Sequence, residues 1–227
     1  MAPNQKKGIG VSIKRIEDDR LLRGCGRYID DIRLPDMLHA AVLRSPYAHA
    51  RILGIEARPA LALSGVVAVF TFDDLSSVKP VPIRLNPYGS LEPFLQFPLA
   101  ADRVRYVGDP VALIVAESRY QAEDALELMV VDYEPLPVCI DAETDPIIAL
   151  HDEAADNVAS HFVMEKGDVT TAFAKAEHVT KLRFVSGRHS GVPLETRGLV
   201  AYYDSGQRRL RVWGPTKVPP FNRMVLA

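Results

Sequence analysis

A chain of 227 residues with 48% apolar side chains can bury a sizeable core and make one or two domains. Its 27 Lys and Arg against 29 Asp and Glu leave a net charge of −2, which gives no electrostatic argument for nucleic acid or an anionic membrane as partner. The 2 cysteines, Cys25 and Cys139, have no second thiol at metal-ligand spacing, so no iron–sulfur cluster or zinc site is expected within the chain, and reduced thiols in a cytoplasmic protein are.

Residues 1–19 read as an N-terminal arm: Lys6 and Lys7 with Gly8 and Gly10 fit no folded pattern, and the Gly-Ile-Gly lacks the preceding strand and later glycine of a nucleotide loop. No apolar stretch follows the basic start and no apolar run reaches membrane-spanning length, so neither export nor a membrane span is expected. Arg20 to Met37 carries glycine and proline punctuation around short apolar pieces and predicts a short β element with a turn. Strands are predicted at Leu38 to Leu43 and Arg51 to Ile55, with the Ser-Pro pair of Arg44-Ser-Pro-Tyr-Ala-His49 turning the chain between them. His39 and His49 lie in no paired-ligand spacing and read as hydrogen-bonded structural imidazoles rather than ligands or bases. A short helix within Ala57 to Leu63, ended by Gly65, precedes a strand from Val66 to Thr71. Lys79 to Pro98 holds five prolines and predicts a long loop whose apolar residues pack on a neighbour.

The most informative stretch is Val104 to Pro137. Val111-Ala-Leu-Ile-Val-Ala116 is apolar without alternation, which predicts a core strand covered on both faces, entered through the turn Gly108-Asp109-Pro110. Ser118 stands three residues before Gln121, the spacing at which the hydroxyl caps a helix amide and the glutamine reaches back to the serine amide. Ala122, Ala125, Leu126 and Met129 then form a small apolar helix face, and Met129 to Tyr133 returns to strand composition before Pro135.

Residues 139–166 lose periodicity and predict a linker, with His151 and His161 solvated. Asp168 predicts the cap of a helix reaching Ala176, with Val169, Ala172, Phe173 and Ala176 on one face. His178 to Val185, Leu199 to Tyr203 and Leu210 to Trp213 read as antiparallel strands, the last pair turned by Asp204-Ser-Gly206. Glu195, between Arg188 and Arg197, is a candidate general base, but ion pairing by those arginines would lower its pKa and favours a structural salt bridge.

Val-Arg-Tyr-Val-Gly-Asp-Pro-Val-Ala (Val104 to Ala112), the preceding Tyr28-Ile-Asp-Asp31, Leu34-Pro35 and Arg44-Ser-Pro-Tyr-Ala-His49, and the later Pro193-Leu-Glu-Thr196 resemble the molybdenum-containing subunit of the xanthine dehydrogenase, aldehyde oxidase and carbon monoxide dehydrogenase family. The resemblance implies an α+β chain: an α/β hammerhead domain over residues 20–138, the linker, and over residues 167–227 the first helix and antiparallel strands of a molybdopterin-binding domain. It implies part of a molybdenum hydroxylase that oxidises an aldehyde or N-heterocycle with water-derived oxygen. The molybdenum-molybdopterin cofactor would be completed by another chain or a further C-terminal region. FAD and iron–sulfur clusters would sit on partner subunits. The family's Gly-Gly-x-Phe-Gly cofactor loop and its catalytic glutamate have no counterpart here, so no catalytic residue or metal ligand is assigned and the chain is not expected to be catalytic alone. The alternative is a non-catalytic scaffold or pseudo-subunit keeping the fold for assembly.

Many family members carry a cofactor-bonding glutamine where Val212-Trp-Gly-Pro-Thr-Lys217 has lysine. An amide donates and accepts, whereas an ammonium only donates and adds charge. Lys217 is therefore either a cation facing the anionic cofactor or a surface lysine at a strand end.

Overall fold

The computed structural model describes residues 12–75, 77–83, 91–141, 143, 148–154 and 156–226; part of the N-terminal arm and part of the proline-rich loop lie outside them. In chain order the elements are α1 (Asp18–Leu22), β1 (His39–Arg44), β2 (Ala50–Glu56), α2 (Arg58–Leu61), β3 (Val66–Phe70), β4 (Arg103–Val104), β5 (Pro110–Ala116), α3 (Arg119–Glu127), β6 (Val130–Pro135), α4 (Val169–Lys175), β7 (Val200–Asp204), β8 (Arg209–Trp213) and α5 (Pro219–Leu226). The chain divides into a larger unit, Asp36–Val185 with Val218–Ala227, and a smaller one, Met1–Pro35 with Ser186–Lys217.

The larger unit is built on antiparallel sheets ordered β1-β5-β3 and β4-β2-β6. β5 is the central strand its apolar run predicts, paired on both edges. Ala112, Ile114 and Ala116 are fully buried, with Ala112 and Ile114 meeting Ala60, Ala125 and Met129 beneath the helices. The alanines let α2 and α3 lie close to the sheet, and Ile114 supplies the bulk between them. The opposite face is covered less completely than expected: Val111 is fully buried against Ala50 and Val104, but Leu113 and Val115 are half-buried. On that face, Ala50 and Val104 of the other sheet cover the start of β5 at Val111.

Ser118 caps α3 by accepting the Gln121 amide at 3.3 Å. The reciprocal half of the predicted box is different. The Gln121 carbonyl oxygen accepts the Ser118 hydroxyl at 2.7 Å, and its amide nitrogen donates to the Ser64 carbonyl at 3.1 Å, tying the helix to the turn before β3. That turn requires Gly65: its φ is +86°, and a Cβ there would stand 1.9 Å from the Gln121 amide. Asp168 likewise caps α4 by accepting the Thr171 amide at 2.9 Å. Val169 and Phe173 on the predicted apolar face of α4 are nevertheless more than half exposed.

In the smaller unit the structure corrects the reading of Arg20 to Met37. The segment has no strand; α1 starts in the expected arm at Asp18, and Ile29–Asp31 form one 3-10 turn. Ion pairs Arg20–Glu17 and Arg23–Asp19 at helical spacing favour the turn of helix, and Gly24 at φ +68° ends it. β7 and β8 form a hairpin that pairs Val200 with Trp213, Tyr202 with Arg211 and Asp204 with Arg209. Asp204 holds the loop by accepting the Gln207 amide at 2.9 Å, and the positive φ falls on Arg208 rather than on a glycine. His178 to Val185, the third expected strand, is not one: no residue in it belongs to a strand. A strand exists only with a hydrogen-bonded neighbour, and none lies beside it among the described residues.

Candidate functional site

The residues singled out by the resemblance fall into separate places. Glu195 does not pair with Arg188 or Arg197. One of its carboxylate oxygens accepts the Ile29 amide at 2.9 Å, beside a cavity of about 250 Å³ lined by Tyr28, Asp30, Asp31 and Thr196. The Tyr-x-Asp-Asp turn is itself fixed by the Tyr28 amide donating to Asp31 at 2.8 Å. The expected salt bridge is therefore not formed: the partner of Glu195 is a backbone N–H 166 positions away instead of a neighbouring guanidinium.

Lys217 is exposed and follows the close packing of Gly214, where a Cβ would meet the Gly198 carbonyl at 3.2 Å. The helix after it offers no free amide in its first turn: Pro219 and Pro220 carry no N–H, and the amides of Phe221 and Asn222 both return to the Val218 carbonyl at 3.1 Å.

His49 is 4% exposed, and its Nδ1 stands 2.7 Å from the Pro137 carbonyl, the hydrogen-bonded imidazole expected. The turn leading to it is closed by Ser45, whose hydroxyl donates to the Tyr47 carbonyl and accepts the Tyr47 amide, both at 3.0 Å. His161 is exposed as expected, but His151 is only partly exposed. Its ring packs 5.0 Å from that of Phe94 on a cavity of about 290 Å³. Burial, helped by the Arg105 guanidinium, pushes its pKa down from 6.5, against the Pro93 carbonyl and Glu153.

This cavity gathers the charged groups that the sequence reading missed. Arg103 grips both oxygens of Asp152 at 3.1 and 3.4 Å, and Arg105 donates through Nε to the Leu150 carbonyl at 2.8 Å. Asp109 accepts the Arg105 amide at 2.9 Å; burial raises its pKa although that bond, Tyr106 and the Arg105 charge pull it down. The available signal was Arg103-Val-Arg105, whose ends share one side of an extended chain, though their partners lie over 40 positions on. The cluster is internally paired except for the buried Arg103 Nε, and it clamps the supposed linker onto the sheets. Among the described residues no three His, Cys, Asp or Glu side chains are grouped to hold a metal ion.

Residues 23–137, half of the chain, match the family described as aldehyde oxidase and xanthine dehydrogenase, a/b hammerhead domain. The chain belongs to that family. Residues 150–227 match the molybdopterin cofactor-binding domain, so Arg103, Arg105 and Asp109 lie in the hammerhead match and their partners His151 and Asp152 in the next. The chain is 39% identical to the nicotine 6-hydroxylase large subunit of Paenarthrobacter nicotinovorans, over 99% of this chain and 28% of that one. It is 38% identical to the carbon monoxide dehydrogenase large chain of Afipia carboxidovorans, over 97% and 29%. Quinoline 2-oxidoreductase from Pseudomonas putida 86 superposes with a TM-score of 0.77 at 38% identity, over 98% of this hammerhead chain and 28% of that one. The chain therefore spans under a third of each of these three relatives.

Proposed function

We propose that this chain is the opening portion of the molybdenum-containing large subunit of a molybdenum hydroxylase, not catalytic by itself. The observation that carries the reading is the order of matches along one chain, hammerhead over residues 23–137 and molybdopterin-binding domain over 150–227. The division into an arm (1–19), hammerhead (20–138), linker (139–166) and start of the cofactor domain (167–227) belongs to the same proposal. When bound, a molybdenum-pterin centre supplies two-electron oxidation of a carbon with oxygen from water. The relatives named for nicotine and quinoline favour an N-heterocycle as substrate, with an aldehyde as the other class. FAD and iron–sulfur clusters on partner subunits would carry the electrons away, in the cytoplasm; among the described residues no helix is long and apolar enough to cross a membrane.

In this reading Lys217 holds an anionic part of the cofactor through its ammonium, and Glu195 holds Ile29 in place. The hammerhead residues position and contribute no chemistry. The test is to purify the native assembly containing this chain, measure molybdenum and iron, and assay N-heterocycle and aldehyde oxidation. Molybdenum with turnover supports the reading. An intact assembly without molybdenum refutes it in favour of the scaffold, which the lysine in the glutamine position motivates.

A further inference from the structure

Residues 148–154 form no helix or regular strand, and side chains from the hammerhead match hold them in place. Arg103 grips both carboxylate oxygens of Asp152, and the Arg105 Nε donates to the Leu150 carbonyl at 2.8 Å. The segment is closed by the Ala154 amide donating to the His151 carbonyl at 3.0 Å and by the Leu150 amide donating to Asn157 Oδ1 at 2.9 Å. His151 sits where these ties meet. Its ring lies against Phe94 of the proline-rich loop and donates to the Pro93 carbonyl, so one imidazole joins that loop to residues 148–154.

The same ties leave a second proton on that ring badly placed. Arg105 is committed to the carbonyl of the residue next to His151 and cannot swing away without releasing it. An imidazolium would therefore face a fixed guanidinium across a partly desolvated cavity. The other charged groups around this cavity are Glu92, Asp102, Arg103, Asp109, Asp152 and Glu153. The Pro93 carbonyl and Glu153 favour the cation, but burial first, then Arg105 and Arg103, outweigh them and hold the His151 pKa below 6.5. Burial moves Asp109 the opposite way, upward, so its contribution is present in acid and lost as pH rises; it cannot loosen the segment on acidification. We infer that His151 is an acid-sensitive catch: taking up a proton frees residues 148–154 and the turn at Phe94 from the hammerhead sheets while the sheets stay folded. The closed state favours the neutral ring, so its hold is complete above about pH 6.5 and weakens as pH falls from there towards the lower value of the closed form, by at most about tenfold per pH unit for one proton. The inference uses neither the cofactor nor the proposed reaction.

Amide hydrogen exchange of the native protein containing this chain tests it, followed by mass spectrometry from about pH 7.5 to about 5.5 and corrected for the intrinsic rate at each pH. Protection of residues 148–154, where the Leu150 and Ala154 amides are bonded, should lie below that of β5 throughout and fall at least about threefold across the range. His151→Gln, whose amide can donate to the Pro93 carbonyl but takes up no proton, should give a flat profile. Glu153→Gln removes a charge that favours the imidazolium and should deepen the decline. A flat profile in the unaltered protein, an unchanged decline in His151→Gln, or a shallower one in Glu153→Gln overturns the inference. So does protection of residues 148–154 equal to that of β5, which would mean that the segment leaves only when the whole unit unfolds. Where His151→Gln leaves the segment unprotected at every pH, the Glu153→Gln decline decides by itself.

Discussion

Ile114→Ala probes the packing that holds the larger unit together. Ile114 is fully buried at the centre of β5, surrounded by Ala60, Ala112, Ala125 and Met129. Truncation removes three carbons, or about 2.4 kcal/mol of transfer free energy at about 0.8 per methylene. The cluster is also packed by Leu43, Ile55, Leu63, Val66, Val69 and Leu126, held on paired strands and helices that cannot fully close the space, so a cavity term brings the expected loss to roughly 3–4.5 kcal/mol. Val67→Ala is the control: it lies on neighbouring β3 but is 55% exposed, so its expected cost is below about 1 kcal/mol. Urea unfolding followed by far-ultraviolet circular dichroism on the same chain measures both. A loss for Ile114→Ala within about 1 kcal/mol of the control would show that β5 is not the packed centre of this unit, and the reasoning would fail.

Gly65→Ala forces an L-residue to φ +86° and displaces Gln121 from the Ser64 carbonyl, for an expected cost of roughly 1–3 kcal/mol; in a Gln121→Ala background the clash part should vanish and the backbone part remain. Glu195→Ala should destabilise the smaller unit by about 1–2 kcal/mol, measured by Trp213 fluorescence during unfolding, whereas Glu195→Gln keeps an acceptor for the Ile29 amide and should retain most of the stability. Loss of turnover in an otherwise well-folded Glu195→Gln assembly would restore the general-base role. His151 has a folded pKa below 6.5, so the unfolded chain takes up its proton first and stability must fall as pH drops beneath that value. His151→Gln should flatten the decline on the acid side of 6.5.

Much of the hammerhead was legible because its signals are short in range. The Ser118 cap, the small face of α3, the turn at Gly108-Asp109 and the apolar run of β5 depend on neighbours a few positions away. The misreadings have a common cause. Arg20 to Met37 was assigned a β element from its punctuation, although Arg20 and Arg23 pair at helical spacing with Glu17 and Asp19 just before it, which favours α1. His151 was assigned to solvent because its segment lacks periodicity, whereas Arg103 and Arg105, far upstream, draw that segment onto the sheets. For the candidate site, the sequence identified the carboxylate and lysine worth examining; the Ile29 partner of Glu195 has no local mark at all.

The sequence alone determined most elements of the larger unit and their class, since capping, helix-face spacing and strand composition act over a few residues. Only the tertiary structure decided the strand order β1-β5-β3, which arginine reaches which aspartate, and that residues 178–185 lack a neighbour. Those outcomes depend on hydrogen-bond and charge partners brought together from distant positions, and a strand or a salt bridge has no existence apart from its partner.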